Sequence, residues 1–288
     1  MKIFILFFSF TTFDFVNIPY SGTQALLRDN HFLKHFETNK IFYRPIFIDE
    51  TTKIKISSGY TPYILDINTL YFAGNYKKFY FAIFSYNAGK FEVIDSFGFK
   101  TGEIINPTHI GFILNFPFIP FKKTFEIQKG LGVKVLYVKL KEFSSLAFAI
   151  DLSLLKEFLF KEIPLRGSLD IRNLGFSTNK KASPAPYELS FSFSANLNKF
   201  IPSTGFSLEE NLFSYRLSFL YELNKFLNII LNYDSRRKDL VELEGLHRVI
   251  TGFGTGLILT IKRVSLSYSY IPSGILEDLH KIDISISF

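Results

Sequence analysis

From residue 53 to its last residue the chain alternates apolar and polar side chains in segment after segment, a period of two that builds β-strands with two unlike faces. The final segment shows it well: Ile282, Ile284, Ile286 and Phe288 are apolar, while Asp283, Ser285 and Ser287 between them are polar. Just before it, Val264, Leu266, Tyr268 and Tyr270 stand on one side and Ser265, Ser267 and Ser269 on the other. In order, the pattern predicts fourteen strands, over 53–60, 67–75, 78–86, 108–118, 130–140, 144–154, 165–173, 187–196, 200–208, 213–222, 226–234, 250–260, 264–271 and 279–288. Segments of roughly nine to eleven residues are what a tilted strand needs to cross a bilayer.

The connections carry a second signal. When both ends of a spanning barrel lie on one side, every second connection falls on that side and is short. Three such connections share one formula, Asn75 to Phe79, Asn196 to Phe200 and Glu222 to Phe226, and Ile261 to Val264 has the same length and character. The alternate connections, 88–106, 175–186, 235–249 and 272–278, are longer and more polar. On the short side, 121–129 and 156–164 are expected to be longer than their neighbours.

The faces differ in chemistry as well as polarity. Arg166, Ser168, Asp170 and Arg172 share a face opposite Leu165, Leu169 and Ile171, and Asn228, Asn232 and Asp234 oppose Leu227, Ile229, Leu231 and Tyr233. In a closed barrel Arg166, Asp170, Arg172, Asn228 and Asn232 line the lumen, pairing with each other or with water. Gly252, Gly254 and Gly256 leave one face bare while Phe253, Leu257 and Leu259 load the other, so these glycines belong to the lumen side, where space is short. Closure also removes the edges that long alternating strands expose.

Alternation does not say which face is outside, and a soluble all-β protein with its apolar face as core has the same pattern. Several features favour the membrane. Lys2 followed by the apolar stretch Ile3 to Phe10 reads as an export signal over 1–15, although no clean small-residue cleavage site follows it and Thr11 and Thr12 are the nearest candidates. The chain has 288 residues, 36 of them Phe, an even predicted strand count and a terminal aromatic residue, Phe288. Outside the N-terminus no apolar run reaches the roughly 18 residues of a spanning helix. There is no cysteine, hence no disulfide framework or thiolate metal site. The net charge of +7 is scattered through turns and loops without a basic stripe, which argues against nucleic acid. The expectation is an all-β transmembrane antiparallel barrel over 51–288, an irregular periplasmic or lumen segment over 16–50, and the outer membrane of a Gram-negative-type bacterium. Outer-membrane lipid and the barrel assembly machinery are then its partners, the latter engaging the terminal strand through Ile282, Ile284, Ile286 and Phe288.

Most of the chain resembles one superfamily. Phe42 to Ile48, just before the first strand, resembles the Asn-Pro-Ala-Gly segment of the FadL-like long-chain fatty acid transporters. Ser168 to Gly175 followed by Pro184-Ala185-Pro186 is similar to a segment of the PorV/PorQ-like branch. The ending Tyr268 to Gly274 with Leu279 to Ile282 resembles that branch's closing pattern, and Asn232 to Lys238 an arginine-rich stretch in it. The resemblance implies a fourteen-stranded barrel with an N-terminal segment near the lumen. For PorV-like members it implies a role in type IX protein secretion as shuttle or attachment partner for cargo, and for FadL-like members passage of hydrophobic solutes. This chain departs from the pattern at Arg44, where the family has Asn, and at Ile46-Phe47, where it has Ala-Gly, the positions on which the family's plug geometry, and a transport gate with it, rest.

Catalysis finds little support in the residues. His31 and His35 have the i, i+4 spacing of a two-imidazole face, but no third ligand or general-base glutamate accompanies them, and packing explains them as well. His109 shares a predicted face with Asn115, yet no serine pairs with it by spacing. Asp239, Glu242 and Glu244 either bind cations or solvate their loop, and solvation suffices. No enzyme activity, cofactor or metal is expected. The leading function is a secretion-associated, cargo-binding barrel whose outer loops 88–106, 175–186 and 235–249 contact a protein, with Arg236, Arg237, Asp239, Glu242 and Glu244 as contact candidates. The alternative is a channel or transporter for hydrophobic solutes.

Overall fold

The computed structural model describes residues 12–33, 37–46, 54–62, 67–77, 79–94, 98–117, 127–210, 212–239, 250–272 and 278–288. The strands are β1 (Lys55–Pro62), β2 (Asn68–Tyr76), β3 (Phe79–Asn87), β4 (Phe91–Ile94), β5 (Lys100–Ile105), β6 (Thr108–Pro117), β7 (Ile127–Leu140) and β8 (Phe143–Phe160). They continue with β9 (Ile163–Ser177), β10 (Glu188–Ala195), β11 (Phe200–Glu209), β12 (Leu212–Glu222), β13 (Leu227–Asp234), β14 (Phe253–Ile261), β15 (Val264–Ile271) and β16 (Leu279–Ser287). All but β4 and β5 join one closed antiparallel barrel of fourteen strands in sequence order. Closure runs through β1 and β16, from Lys55 opposite Ser287 to Tyr60 opposite Ile282, and the Phe288 amide donates to the Ile54 carbonyl at 2.8 Å.

Side-chain exposure settles which face is outside. On β8, Leu146, Phe148, Ile150, Leu152 and Leu154 are 38–45% exposed, whereas Ser145, Ala147, Ala149, Asp151 and Ser153 are 0–3% exposed. The apolar face therefore points away from the barrel, the reverse of a soluble β-protein. An unbroken apolar belt around fourteen strands far exceeds the few hundred Å² that a water-soluble surface tolerates, and hydrocarbon is the medium that suits it.

The strands depart from expectation in the connections. The stretch 156–164 is not a long loop: β8 and β9 run on until Phe160 faces Ile163, joined by Lys161 and Glu162 alone. Both take positive φ, 47° and 69°, the two-residue geometry whose twist matches that of the flanking strands. The connection was expected to be longer than its neighbours, but two residues suffice to turn. At the opposite end β7 and β8 are joined by Lys141 and Glu142, so short connections are not confined to one side. Loop 88–106 holds the separate β4–β5 hairpin. Most of 121–129 lies outside the described residues.

The terminal strand offers a direct test. Ile284 is 42% exposed on the outer face, opposite Ser58 on β1 and Leu266 on β15. A charge there enters hydrocarbon beside the closing seam. Ile284→Asp, or removal of Phe288, is expected to lower the folded fraction seen as heat-modifiable migration more than any change in the β4–β5 hairpin does. Equal folded yields would remove β16 from its place as the closure strand.

Candidate functional site

The chain's own N-terminal segment fills the barrel's interior. It contains a 3-10 turn at Asp14–Asn17, the short helix α1 (Gly22–Leu27) and a second 3-10 stretch at Glu37–Phe42. Helix α1 touches β12 to β16, while Glu37–Phe42 touches β1, β2, β3 and β6, so the segment meets opposite walls at once. Apolar packing accounts for part of this. Leu26 and Leu27 pack with Ile201, Leu220, Ile230 and Ile258 of the wall, and Phe13, Phe15, Tyr20 and Phe42 pack with Tyr71, Phe84 and Ile113. Phe13 and Phe15 belong to the stretch expected as export signal; residues 1–11 lie outside the described residues.

Polar anchors complete the fit, because each buried charge needs a partner and a hydrogen bond. Arg44 donates from Nη2 to Asp170 at 3.2 Å and to Ser192 at 2.9 Å. Asp170 also accepts from Ser153 and Ser168. Asp29 accepts from Arg216 on both oxygens, at 2.7 and 3.3 Å. Arg28 pairs with Glu188, which also holds Arg172. At the start of α1, Asp283 accepts from the amides of Gly22 and Thr23 at 2.8 and 3.4 Å, from Tyr71 at 3.1 Å and from Ser267 at 2.8 Å. Ser21 adds the helix's own cap by accepting from the Gln24 amide at 2.9 Å. Lys281 donates to the Pro19 carbonyl at 2.6 Å.

The predicted lumen residues face inward, but onto this segment rather than an open channel. Arg166 donates to the His31 carbonyl at 2.9 Å and stacks on Phe32, and Arg172 donates to the Phe42 carbonyl. Asn228 and Asn232 are buried on β13, and Asn232 donates to the Leu217 carbonyl at 3.2 Å. Gly254 and Gly256 form the seat of Leu26: a Cβ on either would come within 2.6–2.8 Å of its methyl groups. Gly252 precedes β14, and a Cβ there would strike the Tyr233 ring at 2.5 Å. Ile282, Ile284 and Phe288 are exposed on the outer face, and Ile286 is half-buried on it.

Two of the outer-loop contact candidates make contacts within the barrel. The loop begins with a helical turn, Ser235–Asp239, that returns Arg237 to the interior, where Nη2 donates to the Ala25 carbonyl at 2.6 Å. Arg236 is drawn into a pair with Glu209 at 2.6 Å. The Asp239 side chain, Glu242 and Glu244 lie outside the described residues.

Among the described residues, His31 makes an arrangement that superficially suggests catalysis. Its Nε2 lies 3.1 Å from Ser192 Oγ, with Asp170 nearby through Ser168. Its Nδ1, however, faces Arg44 Nη1 at 2.5 Å, and a guanidinium only donates. Nδ1 must accept, so Nε2 carries the hydrogen and donates to Ser192, the opposite of what activates a serine. Burial, then the charges of Arg44 and Lys40, lowers the His31 pKa well below its usual value and keeps the ring neutral. His35 lies outside the described residues. His109 packs between Phe15 and Tyr86 at ring-centre distances of 5.2 and 5.3 Å. Among the described residues no group of three or more His, Cys, Asp or Glu is placed to hold a metal ion.

Several anchors escape a reading by segments: Asp29, Glu188, Arg216, Lys281 and Asp283. Their signal is position, since each strand charge among them falls on the inward, serine-bearing face rather than in a connection.

No protein-family model matches this chain, and comparison with curated proteins finds no match. Among solved structures it is similar to CdiB from Acinetobacter baumannii (TM-score 0.42, 9% identity), with 82% of this chain and 60% of that one covered. It thus spans about three fifths of CdiB. It is also similar to the KdgM porin (TM-score 0.40, 7% identity, 81% and 99% covered) and to a mutant of Rh. blastica porin (TM-score 0.35, 8% identity, 82% and 99% covered).

Proposed function

We propose that this chain is an outer-membrane barrel that works with its lumen closed and serves as a docking platform for a secreted protein, in line with its resemblance to PorV/PorQ-like proteins. The observation that carries the reading is the filled interior: Arg166, Asp170, Arg172 and their neighbours bind the N-terminal segment and do not border a solute path. What remains available is the end bearing the β4–β5 hairpin. There Phe99 and Ile104 are 71% and 65% exposed, and a Lys141–Glu103 pair at 2.9 Å ties the hairpin to the β7–β8 turn. Two exposed apolar side chains on a tethered hairpin suit recognition of a protein partner better than solvation.

The alternative, passage of a hydrophobic solute, requires the N-terminal segment to move. The two readings separate in one set of measurements. Full-length protein is expected to leave planar bilayers non-conducting and to retain a secreted cargo protein, and replacing 91–105 with a short Gly-Ser turn is expected to abolish retention. Conductance or solute uptake by the intact protein, with no cargo retained, would sink the docking role.

A further inference from the structure

We propose that the outer wall at the β14–β15 turn is a binding site for an acidic phospholipid of the surrounding leaflet, an inference that rests on the membrane reading above. Each described turn at this end of the barrel carries a cation: Lys77, Lys161, Lys199, Lys225, and the pair Lys262 and Arg263. None of these makes an ion pair among the described residues, whereas at the opposite end Lys100, Lys141 and Arg236 pair with Glu92, Glu103 and Glu209. Three of them lie over a neighbouring ring instead: Lys77 over Tyr76 at 5.4 Å, Lys161 over Phe160 at 5.6 Å and Lys225 over Phe226 at 4.8 Å. Aromatic rings with lysines beside them mark the level where hydrocarbon gives way to headgroups.

The β14–β15 turn adds a concavity to this collar. A groove of ≈ 660 Å³ is walled by Leu259, Ile261, Val264, Leu266 and Ile284, with Lys262 and Arg263 at its end. All the walls are outward-facing side chains, 40–56% exposed, so an acyl chain alongside them adds apolar contact without displacing the protein's own packing. The cations sit where that chain's phosphate must lie. Charge complementarity selects an anionic headgroup, and the apolar walls select a lipid over a free phosphate.

The test is native mass spectrometry of the full chain in detergent, offered equimolar phosphatidylglycerol and phosphatidylcholine. Phosphatidylglycerol is expected to be retained in preference. The Lys262→Gln/Arg263→Gln double variant is expected to weaken it about thirty-fold, at about five-fold per cation, with phosphatidylcholine unchanged. Lys199→Gln, at a turn outside the groove, should cost about five-fold at most. Equal retention of the two lipids, an unaffected double variant, or displacement by glycerol phosphate as effective as that by the intact lipid overturns the site. Insertion into pure phosphatidylcholine vesicles, scored by heat-modifiable migration, separates the premises: a barrel that inserts without preferring phosphatidylglycerol defeats this proposal alone, and one that inserts nowhere defeats the membrane reading with it.

Discussion

Deleting residues 12–46 is expected to turn a silent barrel into a conducting one. Those residues meet β1 to β3 and β6 on one side and β12 to β16 on the other, and they engage Asp170, Glu188, Arg216, Lys281 and Asp283 of the wall. Removing them uncovers an inward face of serines and charges, together with apolar seats such as Ile201, Ile230, Ile258 and Phe84 that the segment had covered. Eight strands enclose just enough room for side chains and sixteen or more leave an aqueous channel, so fourteen with a small-residue lining lie near the conducting end of that range. The expected result in planar bilayers is resolved single-channel steps from the deletion protein and none from the intact chain. Heat-modifiable migration establishes that the deleted barrel folds. A folded, inserted barrel without conductance would show that something other than the N-terminal segment closes the lumen.

The wall was largely legible in the sequence; of the filling, its place over 16–50 as a periplasmic or lumen segment was expected and its contacts were not, for one physical reason. A strand with two unlike solvents writes a period of two into its residues, and all fourteen barrel strands were recognised from it. The connection at 156–164 is shorter than expected because Lys161 and Glu162 both take positive φ and turn the chain by themselves, while Lys156 and Glu157 extend β8. An inward polar face, by contrast, has the same composition whether it meets water or a folded segment. Arg166, Asp170 and Arg172 face inward, yet nothing local says that Arg44 and the backbones of His31 and Phe42 occupy the space before them. The segment itself lacks periodicity because its short helical turns are held by contacts to many strands rather than by one repeated face. Arg44, a departure from the family pattern, is the clearest case: it anchors the segment to Asp170 and Ser192 of the wall. The glycine face at Gly254 and Gly256 was the strongest available hint, since missing side chains on an inward face imply something pressed against it.

Asp170→Ala is expected to cost about 3–5 kcal/mol of stability, the range for breaking a buried ion pair by removing one partner. The two side chains are 3% and 1% exposed, so neither water nor salt can replace the missing carboxylate. Arg44 keeps Ser192 and His31, but both are neutral and neither balances its charge. The serines on Asp170 lose an acceptor too, although Ser168 retains Ser192 at 2.8 Å. Replacing both members with apolar residues, Arg44→Met with Asp170→Leu, removes the charge as well as its partner. It is expected to recover most of the loss. Urea unfolding in detergent, read as loss of the heat-modifiable form, measures Asp170→Ala, the double variant and its two singles Arg44→Met and Asp170→Leu, and non-additivity of about 0.5–3 kcal/mol in that cycle is the expected mark of direct coupling. The same variants distinguish a wall interaction from a plug interaction. If the pair holds the N-terminal segment in place, Asp170→Ala shows brief conducting openings that the double variant suppresses. A loss of stability with no openings would make the pair a contributor to the barrel's folding alone, and a cost below about 1 kcal/mol, the level of an exposed pair, would remove it as an anchor altogether.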